Sequence, residues 1–397
     1  MASNIIELCS ILCIRFGRSL PILYFGRMMA GYALGLCNGN IPPYTSEICQ
    51  PRIRMFTGAF FILADYGGFA ITYVLDDLMP WKDALLVIAA LPCINTFLLF
   101  FCPESPTWLL VNGGKNNAIA TMKALRGNSE VAMQEIDRMD NNLRKQNQGR
   151  AQTNGYTSSR KSKRIFQGPF VRPCAVLVIL MAIGWIWSGG VVFAHYAVEI
   201  LNEFEVPLNT YWTGACITSY QIFVGLVGSI ISSVCPRRKY YICSGLLMST
   251  GLSMLGTYSY LTQYISFTEF VDRHEGTKWI PLLAFLLFCS GYNSGYIPVS
   301  FMFLAELLPS NARNIGITIA MTCSYISGFM ALKFAPYIEE TLGLYGLIWI
   351  FAVVDLGAII FVYFCVPETF GKSLEEIEDH YRLLCYGNRN TNSSDGV

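Results

Sequence analysis

Acids and bases recur at a fixed distance in two places along the chain. Glu47 is followed by Ile48 and, seven residues after the acid, by Arg54; Glu306 is followed by Leu307 and, again after seven residues, by Arg313. Each pair has a matching tag downstream, Pro103-Glu104-Ser105-Pro106 in the first case and Pro367-Glu368-Thr369 in the second. The acids are 57 residues apart in one copy (47 to 104) and 62 in the other (306 to 368). Side chains of these types form ion pairs, each worth roughly 0–1 kcal/mol near a surface. Several acting together bias a conformational equilibrium whose states differ by only a few kcal/mol. Covalent chemistry has no comparable constellation, because the sequence holds no nucleophile arrangement and no phosphate loop. Its fourteen cysteines lie mostly in apolar segments without paired ligand spacing, and His195, His274 and His380 are scattered. An enzyme is therefore disfavoured, and no cofactor or metal is implied.

The segments that must position these charges are membrane helices. Charged residues make up 14% of the chain and apolar ones 53%, whereas soluble proteins carry roughly 25% charged residues. Windows almost free of charge run over residues 84–101, 174–194, 211–234, 240–261, 279–304 and 315–332. Most reach the roughly 17–25 residues that cross a bilayer. Residues 25–41, 56–75 and 344–366, with a weaker opening stretch before Tyr24, bring the expectation to ten spans, without a cleaved signal peptide in front of them. The repeated tag makes this a duplicated membrane unit, an architecture that many transporters use to enclose a site between repeats.

Orientation follows from the lysines and arginines. The polar stretch between Cys102 and Val171 includes Arg144-Lys145 and the run from Arg160 to Arg164, and the turn Arg237-Arg238-Lys239 lies an even number of spans away. Both belong in the cytoplasm, as then do both termini. Turns of opposite parity carry Asp76-Asp77, Glu199, Glu203, Glu205 and Glu339-Glu340. Within the central loop, residues 117–125 and 131–143 space their apolar residues helically, which predicts short amphipathic helices under the bundle, and 146–162 reads as a linker. Its charges read as a solvated, orientation-setting surface and not as a nucleic-acid site. The glycosylation acceptor at Asn392-Ser393-Ser394 falls on the cytoplasmic side. One span fits poorly: Glu7 lies inside it, and Arg15 and Arg18 interrupt it after about ten apolar residues, too few for a crossing unless the arginines snorkel outward.

Four motifs, Gly26-Arg27-Met28-Met29-Ala30-Gly31, Pro43-Tyr44-Thr45-Ser46-Glu47-Ile48 with Arg54, Pro103-Glu104-Ser105-Pro106-Thr107-Trp108-Leu109-Leu110, and the stretch from Pro367-Glu368-Thr369-Phe370-Gly371 to Ile377, resemble the sugar porter family of the major facilitator superfamily. The wording, with Gln50-Pro51 after Glu47, is most similar to the insect facilitated trehalose transporters within it. The resemblance covers nearly the whole chain. It implies an all-α membrane protein of two pseudo-repeated halves, of which this chain holds about ten helices, equivalent to spans three to twelve. The expected divisions are 1–102 for the incomplete first half, 103–172 for the cytoplasmic loop, 173–366 for the six-helix second half and 367–397 for the tail. It also implies that Glu47, Arg54, Glu104, Arg237, Arg238, Glu306, Arg313 and Glu368 form a cytoplasmic salt-bridge gate. Departures thin that lattice: Thr107 stands where many members have Arg, Met55 where Gly follows the Arg, and Pro236 where Gly precedes the basic turn.

A sugar needs polar groups around a central cavity, because its hydroxyls must be hydrogen-bonded as they leave water. The family's Gln-Gln-x-Ser-Gly-x-Asn run corresponds here to Trp185-Ile186-Trp187-Ser188-Gly189-Gly190-Val191, which keeps Ser188 and Gly189 but none of the amides. Ile62 replaces another family glutamine, Phe301 a tryptophan, and Ser324-Tyr325 an Asn-Trp pair. Candidate lining residues are Trp185, Ser188, His195, Tyr196, Tyr220, Gln221, Asn293, Tyr296, Ser324 and Tyr325, and Gly291, Gly295 and Pro298 are placed to loosen the adjoining helix. Asp65 and Asp355 fall near mid-membrane, where an acid faces protein or water or is neutral; Asp65 reads equally as a cavity-lining or proton-carrying acid and as an acid bonded to hydroxyls of a neighbouring helix, and Asp355 reads as the latter. The expected function is facilitated diffusion of a sugar, trehalose or a hexose, by alternating access in the plasma membrane. The alternatives are a non-transporting or sensor-like relative and a carrier of a different small solute. The sequence leaves the oligomeric state open.

Overall fold

The computed structural model describes residues 1–49, 51–127, 130, 132–137, 139–140, 171–204, 206, 210–232, 234–264, 275–308 and 313–370. Among these, helices joined by short turns account for nearly everything and no strand occurs. The chain divides into two compact units, one made of Met1–Phe60 with Ile71–Thr157 and the other of Phe61–Ala70 with Ser158–Val397. The expected boundaries place residues 61–70 in the first half; here that short piece of one helix groups with the second unit.

The first unit holds α1 (Ala2–Phe16), α2 (Leu20–Ile48), most of α3 (Pro51–Leu78) and α4 (Trp81–Leu99). The short α1 ends where the sequence interrupts it, and Arg15 reaches Asp83, two residues into α4, at 3.1 Å. At about 1.5 Å per residue its 15 residues fall well short of the roughly 30 Å hydrocarbon core. It is nonetheless fastened by polar contacts: Ser10 donates to the Gly26 carbonyl at 2.8 Å and Asn4 to Thr96 at 3.1 Å. Gly26 permits this approach, since a Cβ there would lie 2.7 Å from Ile14. Beyond α4 the tag folds as its residues dictate. Ser105 accepts a hydrogen bond from the Trp108 amide at 3.1 Å, and Pro106 supplies the preset first position of α5 (Pro106–Trp108).

The expected amphipathic segment forms α6 (Lys115–Arg126), ended by Gly127 at φ 70°, and a further helical stretch over 132–137 and 139–140. Ala118, Met122, Ala132 and Ile136 are buried together against Leu109, Leu110 and Ile119. The linker expected over 146–162 lies outside the described residues.

In the second unit α7 (Val171–Trp185) and α8 (Val191–Glu203) are one span interrupted by a wide, π-type turn at Ile186–Gly190. α9 (Thr210–Ser232) and α10 (Arg237–Tyr264) follow. α11 (Ile280–Gly291) and α12 (Ile297–Glu306) again make one span broken by a wide turn, at Tyr292–Tyr296. The last helical stretch, α13 (Arg313–Cys365), bends at Gly343, whose φ of 77° divides it into two passages. A continuous core runs through this unit, with Phe193, Met248, Leu255, Phe285, Phe303, Ile348 and Phe351 all buried. Six described stretches are long and apolar enough to cross a membrane, one of them the doubled α13.

Candidate functional site

The two wide turns of the second unit meet. Gly189 has φ 92°, and a Cβ there would lie 2.8 Å from the Phe351 ring, so only glycine suits this turn. At Gly190 a Cβ would lie 2.0 Å from the Tyr292 hydroxyl, because the tip of that ring fills the notch left by the missing side chain. At Gly291 and Gly295, expected to loosen their helix, the missing side chain accommodates close packing: a Cβ at either would come within 2.7 Å of Ser244.

Beside this contact lies a polar patch. The Tyr66 hydroxyl, on the piece of α3 that belongs to this unit, donates to Oδ1 of Asn293. The Asn293 amide nitrogen in turn donates to the Cys289 carbonyl at 3.0 Å. Gln221 reaches the Cys289 sulfur at 3.5 Å, and the Tyr220 and Ser290 hydroxyls are paired at 2.6 Å. Three expected residues, Tyr220, Gln221 and Asn293, are thus brought together, and Asp65 is exposed next to Tyr66. Trp185 packs its ring 5.6 Å from that of Phe301, and its indole N–H has no partner among the described residues.

Other candidates are placed differently. Ser188 and Ser324 are buried, donating to the Trp185 and Ala182 carbonyls at 2.7 and 2.9 Å, the second of these bonds fastening α13 to α7. Tyr296 is fully buried, stacked 4.6 Å from Tyr241 and facing Asp355 without closing a hydrogen bond. Asp355 is therefore an interior group beside a neighbouring hydroxyl, with both its oxygens unpartnered among the described residues. His195 is exposed, its Nδ1 2.8 Å from the Val191 carbonyl, Tyr196 is half-buried, and Tyr325 is 51% exposed. Tyr66 and Tyr292 escaped the sequence reading, since an aromatic ring inside a span ordinarily reads as packing. The available signal was that Tyr66 stands one helical turn after Ile62, where the resembled family has glutamine.

The charged motifs form a second constellation at the opposite end of α12. Arg237 makes an ion pair with Glu306, and Glu368 receives the backbone N–H groups of Arg237 and Arg238 at 3.0 and 3.2 Å. Those are the first two residues of α10, so the carboxylate caps a helix N-terminus, where orphan N–H groups and the helix dipole favour an anion. Arg238 also donates to the Tyr363 carbonyl and lies over that ring. In the first unit Tyr44 donates to the Pro103 carbonyl at 2.7 Å; burial above all, then Cys102 and Glu104, pushes its phenol up, which keeps the donor protonated. Arg126, unanticipated, holds the Ile48 carbonyl at the end of α2 at 2.9 Å and Glu135 at 3.1 Å. Glu104 is exposed. The side chains of Glu47, Arg54 and Arg313 lie outside the described residues, as do His274 and His380.

The fold matches solved transporters. The chain superposes on the inward-open xylose transporter XylE of E. coli with a TM-score of 0.74 at 19% identity, covering 95% of this chain and 81% of that one. The same transporter bound to 6-bromo-6-deoxy-D-glucose gives 0.71 at 18% identity, covering 96% and 82%. Among curated relatives, the facilitated trehalose transporter Tret1 of Apis mellifera ligustica is 25% identical over 93% of this chain and 71% of its own length. The human solute carrier family 2 facilitated glucose transporter member 6 is 28% identical over 91% and 73%. The family model described as "Sugar (and other) transporter" matches residues 1–381. With that match over nearly its whole length, the chain belongs to the sugar transporter family of multi-pass membrane proteins.

Proposed function

We propose that this protein carries a sugar passively across the plasma membrane by alternating access, with both termini in the cytoplasm and without enzymatic chemistry. The observation that carries the reading is the polar patch on the broken helices of the second unit. Gln221, Asn293, Tyr220 and Ser290 converge there inside an otherwise apolar bundle. Amide and hydroxyl groups with spare hydrogen-bonding capacity are what a polyhydroxylated solute requires when it loses water. The names of the relatives, trehalose and glucose transporters, support the substrate class.

Glu368, Arg237 and Glu306 supply the gate on this reading, by holding the end of α10 against α12 and the segment after α13 in one of the two access states. Asp65, exposed beside the patch, is the acid best placed to face solute. A carrier of a different small solute is favoured by one specific feature, the aromatic Trp185 where the family has an amide. The test is uptake of labelled D-glucose and trehalose into vesicles containing the purified protein. Saturable uptake of either, equal in both directions across the membrane without a pH gradient, is the expected result. Uptake equal to that of empty vesicles would falsify the carrier.

A further inference from the structure

Asn293 is only 3% exposed, and both ends of its amide are engaged. Its nitrogen donates to the Cys289 carbonyl one helical turn earlier on the same broken span, which fixes the orientation of the amide. Its oxygen accepts from a phenol, the hydroxyl of Tyr66. That donor is of the same chemical kind as a sugar hydroxyl, and it comes from the one piece of α3 that groups with the second unit. Tyr292 and Asp65 lie within electrostatic range of the Tyr66 hydroxyl, so the atom sits among the polar groups of the patch. Position 62, where the resembled family carries a glutamine, lies one turn before Tyr66 on the same helix.

Resting on the sugar-carrier reading, we propose that Tyr66 sets substrate affinity by acting as an internal stand-in for a sugar hydroxyl on Asn293. A sugar hydroxyl that takes the place the phenol now fills on the Asn293 oxygen displaces it, so part of the binding energy is an exchange of one hydroxyl donor for another. Solutes lacking a hydroxyl at the matching position cannot make that exchange and leave Asn293 covered. Because the phenol keeps the Asn293 oxygen paired in their presence, such solutes forgo one contact and leave no buried acceptor unsatisfied, so the stand-in acts on affinity.

The experiment measures equilibrium binding of D-glucose and of trehalose to the purified full chain in lipid nanodiscs, for wild type and for Tyr66→Phe, Asn293→Ala and the double variant. Tyr66→Phe keeps the ring and removes only the competing donor, so Kd for whichever sugar binds is expected to fall roughly two- to tenfold, the worth of one neutral hydrogen bond, while Tm changes little. In the Asn293→Ala background the same substitution should leave Kd unchanged, because the pair acts through one atom. An unchanged or raised Kd in Tyr66→Phe overturns the stand-in role while leaving the carrier reading intact. Binding of neither sugar to the wild type removes both.

Discussion

Gly190 has an ordinary helical backbone, φ −56°, so its need for glycine is purely spatial. A methyl group placed there would lie 1.9 Å from the Tyr292 ring, whereas at neighbouring Gly189 the positive φ adds backbone strain to the clash with Phe351. Gly190→Ala should therefore destabilise by about 1–3 kcal/mol, the usual range for overpacking. In a Tyr292→Leu background, where the ring tip is gone, the same change should cost far less, and thermal unfolding of the four proteins in detergent measures the difference. Equal costs in both backgrounds would mean that Tyr292 does not fill the notch. The sequence offered Ser188 and Gly189 as remnants of a binding run, with Gly190 next to them, and their types were legible. That the second glycine serves a tyrosine more than a hundred residues away was not, because no local pattern encodes which ring enters which notch.

At the scale of elements, the family resemblance implied a meeting of Arg237, Glu306 and Glu368, and the structure gives their contacts a particular form. Glu368 meets the Arg237 and Arg238 backbone amides, with the guanidinium of Arg237 turned instead to Glu306 and Thr369. The acid is thus a helix cap first and an ion-pair partner second. Glu368→Ala should cost roughly 0.5–2 kcal/mol, as removal of an N-terminal cap does, and Glu368→Gln, which keeps an acceptor and loses the charge, should cost less. Denaturation midpoints of the two variants check the order, and a glutamine variant as impaired as the alanine one would restore a purely ionic role. Hydropathy identified the spans because desolvation of the backbone leaves helices as the only economical crossing here. It could not locate the π-type breaks at Ile186–Gly190 and Tyr292–Tyr296, which depend on contacts between helices. The amphipathic period of residues 117–125 likewise predicted α6, whereas Arg126 finding the Ile48 carbonyl at the end of α2 is a tertiary event without a sequence signature.

Across the whole molecule, each unit separates its charges toward opposite helix ends. In the second unit Glu339 lies within electrostatic range of Glu199 and Glu203. Arg237, Arg238 and Lys239 stand at the other end of α10's span, with Glu306 and Glu368. In the first unit Arg15 pairs with Asp83 at one end, and Lys115 with Asp137 at 2.7 Å beyond the other, followed in the sequence by the basic run from Arg160 to Arg164. On the proposed topology, with positive charge retained on the cytoplasmic side, the ends bearing Lys115 and Arg237 are expected inside and those bearing Asp83 and Glu203 outside. Exposed positions report this directly: with the native exposed cysteines changed to serine, Lys82→Cys and Glu203→Cys should react with a membrane-impermeant maleimide applied to intact cells. Asn116→Cys and Lys239→Cys should react only after permeabilisation. Because this topology puts Arg15, near the end of α1, and Arg18, just beyond it, on the outer side against the bias, the first unit is the more demanding case. Labelling of Lys82→Cys and Asn116→Cys in the reverse sense, with the second unit as expected, would show that the Arg15–Asp83 pair and not the central basic loop decides how the first four helices insert.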